Sequence, residues 1–159
     1  MSRAILPLIV FCLIPLTTDA GRLWKVDSGG SGDVLTIEAG IDSAAAADTV
    51  LVACGTYYER NIEMKSGIVL MSEEGVASCA RIDAEHLHTV FWCVDCESAT
   101  VIKGFTIANG TPYMGKPGCG GGMTVGRSPG IIIENCSFVG NTTHCSSGSS
   151  PVPYRGYGR

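Results

Sequence analysis

Charge is scarce in this chain. Only 16% of its 159 residues are charged, 11 basic against 15 acidic, giving a net charge of −4 and a pI near 5.3. No cluster of lysine or arginine occurs anywhere, so there is no basic field to hold a nucleic-acid backbone, and nucleic acid is excluded as an expected partner. Long apolar runs are also missing. The longest, Ala4 to Leu16, falls short of the roughly 20 residues a membrane-spanning helix needs and is interrupted by Pro7 and Pro15. The glycines of Gly120 to Gly122 lack the following Lys-Ser/Thr and the strand-loop-helix setting of a phosphate loop, and are read as turn or close-packing residues. Cys93 and Cys96 have the spacing of a zinc or redox pair but no second pair to complete it.

The N-terminal run has a different use. Arg3 precedes the apolar stretch, and Thr17-Thr18-Asp19-Ala20 places small residues at the last and third-last positions, the pattern of a signal peptide cleaved after Ala20. The expected location is therefore secreted, extracellular or on the cell surface, with no membrane span after cleavage. Seven cysteines remain beyond Ala20, an odd number, of which Cys54, Cys79, Cys93, Cys96, Cys119 and Cys145 are the disulfide candidates. Cys93 and Cys96 fit either a disulfide or buried thiols packed as small hydrophobes. Cys136 takes the place that Phe105 holds one repeat earlier, which predicts an inward position.

What the chain has in quantity is glycine, 21 residues, and a repeat. Ala99 to Gly110, ATVIKGFTIANG, is echoed 31 residues later by Gly130 to Asn141, GIIIENCSFVGN, so that Ile102 matches Ile133, Gly104 matches Asn135 and Ile107 matches Phe138. Within each copy the apolar residues alternate as in a strand, shift phase at Gly104 or Asn135, and alternate again. Gly and Asn are the residues that most readily enter the left-handed region a sharp corner needs. Strand, corner, strand, repeated at one fixed length, is the mark of a coiled solenoid whose turns stack. Further strands are expected at Thr49 to Ala53, Asn61 to Met64, Gly67 to Met71, Arg81 to Asp83 and Thr89 to Val94. Gly121 to Val125 should take the place of Thr89 to Val94 in the next coil.

Thr36 to Ala47 differs in period. Ile37, Ile41, Ala44 and Ala45 fall at helical spacing, Thr36 can cap the first turn and Glu38 sits at its positive end, so a short helix is expected to cover the first coil. The predicted organisation is a signal peptide (1–20), a lead-in without periodicity (21–35), a solenoid domain with its cap helix (36–145) and a flexible tail (146–159). A solenoid that stops after Phe138 exposes an open parallel edge, which predicts a truncated longer chain, or an edge covered by self-association or by a partner.

Thr36 to Leu70, with its amphipathic helix, Asp48-Thr49-Val50-Leu51-Val52, Gly55-Thr56-Tyr57 and Ser66-Gly67-Ile68, resembles the N-terminal cap and first coils of secreted proteins of the pectin lyase-like superfamily. Gly104-Phe105-Thr106-Ile107 and Ser128-Pro129 before Ile131 resemble the repeats of its bacterial members. The resemblance implies an all-β fold, a right-handed parallel β-helix with a short N-terminal α-helical cap. It implies polysaccharide as ligand but does not select an activity, because the scaffold hosts lyases, hydrolases, esterases and adhesins.

Two functions follow as expectations. One is a secreted or surface module that binds polysaccharide or a cell-surface partner without catalysis, with Tyr113, Tyr57 and Tyr58 as sugar-stacking rings. Trp92, inside an apolar strand, is read as core. The other is a polysaccharide lyase or hydrolase of the pectin or uronate type whose groove is partly missing from this chain; Ca²⁺ is expected only in that case, and otherwise no cofactor and no metal. The stretch RIDAEHLH supplies its candidates: on a strand, Arg81, Asp83 and Glu85 would share one face. Ordinary polar residues on the outer face of a half-buried strand account for the same pattern. No Asn-Thr-Asp, Asp-Asp or Gly-His-Gly run of the polygalacturonase kind is present. Asn109, Asn135 and Asn141 fit the glycosylation acceptor pattern, Asn135 being better explained as a corner.

Overall fold

A computed structural model describes residues 21–97, 99–112 and 120–143. The expected signal peptide and tail, together with Tyr113, Cys119 and Cys145, lie outside the described residues. The elements are β1 (Leu23–Val26), α1 (Ile37–Ser43), β2 (Thr49–Val52), β3 (Gly55–Tyr57), β4 (Ile62–Glu63), β5 (Val69–Ser72), β6 (Ala80–Asp83), β7 (Phe91–Val94), β8 (Val101–Lys103), β9 (Phe105–Ala108), β10 (Met123–Gly126), β11 (Ile132–Glu134) and β12 (Ser137–Val139).

From β2 onward every third strand returns to the same sheet. Sheet A has the order β1-β2-β5-β8-β11, sheet B β12-β9-β6-β3 and sheet C β10-β7-β4. All the strand pairs are parallel. The chain is a right-handed parallel β-helix. The register advances 20 residues from Thr49 to Val69, 32 from Val69 to Val101 and 31 from Val101 to Ile132. The last step is the period of the sequence repeat, and Ile102 pairs with Ile133 and Ile107 with Phe138 as the repeat requires. Met123 to Gly126 pairs with Phe91 to Val94, as expected.

Inward side chains stack in columns, one residue per coil. Val50, Leu70 and Ile102 line sheet A, Ile82 and Ile107 sheet B, and Ile62 and Phe91 sheet C, all of them fully buried. Each of these side chains contributes about 1.5–3 kcal/mol through removal from water. In the last described coil the same columns end in Ile133 and Phe138, 40% and 51% exposed. Among the described residues their strands β11 and β12, like β10, form the outer edges of their sheets.

The corner between sheets A and B depends on backbone conformation. Gly104 has φ +81°, and a Cβ placed there would lie 2.4 Å from Ser72 Oγ and 2.5 Å from the Gly75 carbonyl carbon. Asn135 makes the same corner one coil later with φ 51°. Both corners are those expected from the phase shift in the repeat.

At the other end α1 closes the solenoid, with Ile37 and Ile41 buried and Ala44 packed beside them. Thr36 Oγ1 accepts from the Ala39 N–H at 3.2 Å, as predicted. The helix is shorter than its alanine-rich sequence suggests. Ala44 is already extended (φ −77°, ψ 143°), and the Asp48 carboxylate takes the Ala45 N–H at 2.9 Å, so Ala45 points to solvent instead of joining the apolar stripe. The stretch read as an aperiodic lead-in contains β1, which adds a fifth strand to sheet A beside β2.

Candidate functional site

The outer face of sheet B brings candidate residues together. Its strands bury Ile82 and Ile107 inward, so their neighbours along the strand face out. The register places Thr56 beside Arg81, Arg81 beside Thr106 and Thr106 beside Ser137, one polar side chain from each of four successive coils. All four are partly or fully exposed. Asp83 lies two residues along from Arg81 on the same face. Tyr58 follows directly after β3 and is 66% exposed, the most open large hydrophobic residue among those described.

Asp83 is heavily engaged. Its Oδ2 accepts from Arg81 Nη2 at 3.0 Å and Nε at 3.2 Å, Asn109 Nδ2 donates to both carboxylate oxygens at 3.0 and 2.9 Å, and the Glu85 N–H donates to Oδ1 at 2.9 Å. Burial pushes its pKa up, but the Glu85 N–H, Asn109 and Arg81 together outweigh burial and hold it below the ordinary aspartate range. It is an ionised acceptor whose lone pairs are occupied, not a carboxylic acid poised to give up a proton.

Glu85 does not join it. β6 ends at Asp83, and Glu85 and His86 both take left-handed backbone angles, φ 54° and 60°, which turn the chain out of the strand's alternation. Glu85 pairs instead with Arg60 at 3.4 Å. Farther along, Asp95 is held by Arg127 through two contacts at 2.6 and 2.7 Å, which lowers its pKa. Asp83, Glu85 and Asp95 thus have three different arginine partners. Among the described residues one trio of possible metal ligands lies with its atoms within 4.8 Å of one another, Cys54, Glu74 and Cys79, and two of its sulfurs are joined to each other.

Cys54 and Cys79 form a disulfide with Cα atoms 4.5 Å apart. It links the chain just before β3 to the chain just before β6, so it clamps adjacent coils at the entry to sheet B. Cys93 and Cys96 are free and fully buried, which settles for thiols the two roles the sequence left open. Burial, reinforced by neighbouring Cys96, pushes the Cys93 thiol up to about 12. Burial also raises Cys96 and Cys136, so none of these three offers a ready thiolate. Cys136 is half-buried beside the core, as its match to Phe105 implied.

Of the aromatic candidates, Tyr57 is 3% exposed and donates its hydroxyl to the Ala53 carbonyl at 3.0 Å, so its ring belongs to the core and not to a binding surface. Trp92 is buried as expected. The amide side chains of the glycosylation-pattern asparagines are in use: Asn109 on Asp83, Asn135 on the Gly75 carbonyl at 3.2 Å, and Asn141 on the Ile107 carbonyl at 2.8 Å.

No protein-family model matches the chain, and neither the curated proteins nor the solved structures give a match. The coiled architecture and the sheet B face are therefore what bear on function. The row of polar groups there was present in the sequence as Thr56, Arg81, Thr106 and Ser137, but their alignment needed the unequal coil lengths to be known.

Proposed function

We propose that this chain is an exported β-helix module of the pectin lyase-like kind, which binds a polysaccharide along the outer face of sheet B without cleaving it. The observation that carries this is the row Thr56, Arg81, Thr106 and Ser137, with the exposed Tyr58 two residues after Thr56 in the chain. Neighbouring strands lie about 4.8 Å apart, so the row offers one polar group per coil in a straight line, matched to a polymer with recurring hydroxyls. Thr106 Oγ1 donates to the Ala77 carbonyl at 2.7 Å and keeps its lone pairs to accept. An amphipathic ring such as Tyr58 stacks on the apolar face of a sugar while its hydroxyl stays in water.

The electrostatics favour a neutral, hydroxyl-rich polymer over a polyuronate. Arg81 is already balanced by Asp83 at 3.0 Å, and the chain as a whole carries −4. Binding should accordingly change little with salt, in contrast to recognition of a charged polymer. The engagement of Asp83 by Arg81, Asn109 and the Glu85 N–H supports binding over acid chemistry.

Affinity electrophoresis through gels containing neutral glucans or galactans, beside gels containing polygalacturonate, tests this reading. Retardation by a neutral polymer that is lost in Tyr58→Ala supports it. Release of unsaturated uronate that needs calcium and disappears in Asp83→Ala would establish the lyase alternative instead.

A further inference from the structure

Sheet A presents a second outward face, one of whose two rows is free of charge. Strands β2 and β5 alternate half-buried and buried residues, with Val50, Val52, Leu70 and Ser72 inward, so that Thr49, Leu51, Val69 and Met71 face out. The register extends these positions across all five strands. One row reads Leu23, Thr49, Val69, Val101, Ile132, and the other Lys25, Leu51, Met71, Lys103, Glu134. The first row carries no charge, and its ends, Leu23 and Ile132, are 48% and 44% exposed. The second begins with an exposed lysine and ends with an exposed glutamate. A parallel sheet is ordinarily covered on both faces, and a contiguous apolar surface marks a contact site.

We infer that this face docks on the same face of a second copy of the chain, with the two solenoids antiparallel. A two-fold axis parallel to the strands keeps each row in register with itself and reverses the order of the coils. Leu23 then meets the other copy's Ile132, Val69 meets Val69 and Met71 meets Met71. The charges are complementary in this arrangement alone: Lys25 of each copy lies opposite Glu134 of the other, and Lys103, which holds Glu134 at 3.4 Å within its own chain, lies opposite Leu51. With the solenoids parallel, the two-fold axis exchanges the rows, setting Lys25 against Leu23 and Glu134 against Ile132. The patch is small. Five strands about 4.8 Å apart and about 13 Å long project a few hundred Å², below the roughly 800 Å² per partner of a standard interface, so the dimer is weak.

Sedimentation equilibrium of the full chain up to about 1 mM tests the inference, with circular dichroism showing that each variant keeps its fold. A monomer–dimer equilibrium is expected, abolished by Val69→Asp, whose side chain points away from the core. Lys25→Glu or Glu134→Lys alone should weaken it about tenfold, and the two together should restore it to near the starting value. A chain monomeric throughout overturns the proposal. So does a dimer indifferent to Val69→Asp and broken by Phe138→Asp, which would run through the last described coil. Adsorption to neutral phosphatidylcholine vesicles, lost in Val69→Asp, would assign the face to a lipid surface and overturn it likewise.

Discussion

Glu59 Oε1 accepts the backbone N–H of Ile37 at 2.8 Å, and its Oε2 accepts that of Glu38 at 3.0 Å. A carboxylate leaving the first coil thus satisfies two of the free donors at the start of α1, while Thr36 satisfies a third. The cap helix is too short to stand alone and is held by Ile37 and Ile41 in the core and by this contact. Glu59→Ala should cost about 1–2 kcal/mol of stability, read as a lower midpoint in urea unfolding. Hydrogen exchange should rise first at Ile37 and Glu38.

The pH dependence of stability should have two parts of opposite sign. Burial raises the Glu59 pKa despite its two N–H donors. Its folded form binds protons more readily than its unfolded form, so its contribution is greatest at low pH and declines as pH rises through the folded value. Asp48 is lowered, by the Ala45 and Arg22 N–H groups with Trp24, Asp27 is lowered by the Ser31 hydroxyl and the Gly29 N–H, and Asp83 and Asp95 are lowered as well. Their stabilisation is present above the ordinary aspartate range and is lost as pH falls through their folded values. Four groups outnumber one, so net stability should fall on acidification below about pH 4. Asp83→Asn should flatten that decline, and Glu59→Gln should steepen it.

Gly104→Ala should be among the most damaging single-methyl additions in the protein. The position combines φ +81° with a Cβ site 2.4 Å from Ser72 Oγ. A loss of about 2–4 kcal/mol is expected, compared with under about 1 kcal/mol for Asn135→Gly at the equivalent corner. Thermal unfolding of the two variants side by side makes the comparison.

Reduction of the Cys54–Cys79 bond should remove about 3 kcal/mol, because it releases a loop with a sequence separation of 25. Cys93 and Cys96, buried and with raised thiol pKa values, should resist alkylation in the native protein and react only on unfolding. Peptide mapping after native-state iodoacetamide treatment reads both. Rapid labelling of either residue would place it outside the core.

The solenoid was legible because it is written in local chemistry repeated at a fixed length. Gly104 and Asn135 mark the corners, and Ile102 with Ile133 and Ile107 with Phe138 mark the columns. What was not legible depends on contacts between coils. Leu23–Val26 is only four residues long and carries Lys25, so nothing but the edge of β2 makes it a strand. The Glu59 cap reaches back 22 residues, a distance set by the path of the first coil. Glu85 follows Asp83 at strand spacing, but its left-handed backbone removes it from that face. On the candidate site, Tyr57 and Tyr58 are adjacent and alike in sequence, yet Tyr57, the last residue of β3, enters the core and Tyr58, the residue after it, is exposed.

Calorimetric titration with a neutral oligosaccharide, at low and at high salt, most directly tests the proposed binding face. Tyr58→Ala and Arg81→Ala should each weaken binding about tenfold, with the affinity of the unaltered chain nearly the same at both salt concentrations. Absence of binding to every neutral polymer, or binding that survives both substitutions, would contradict the assignment of polysaccharide to the outer face of sheet B.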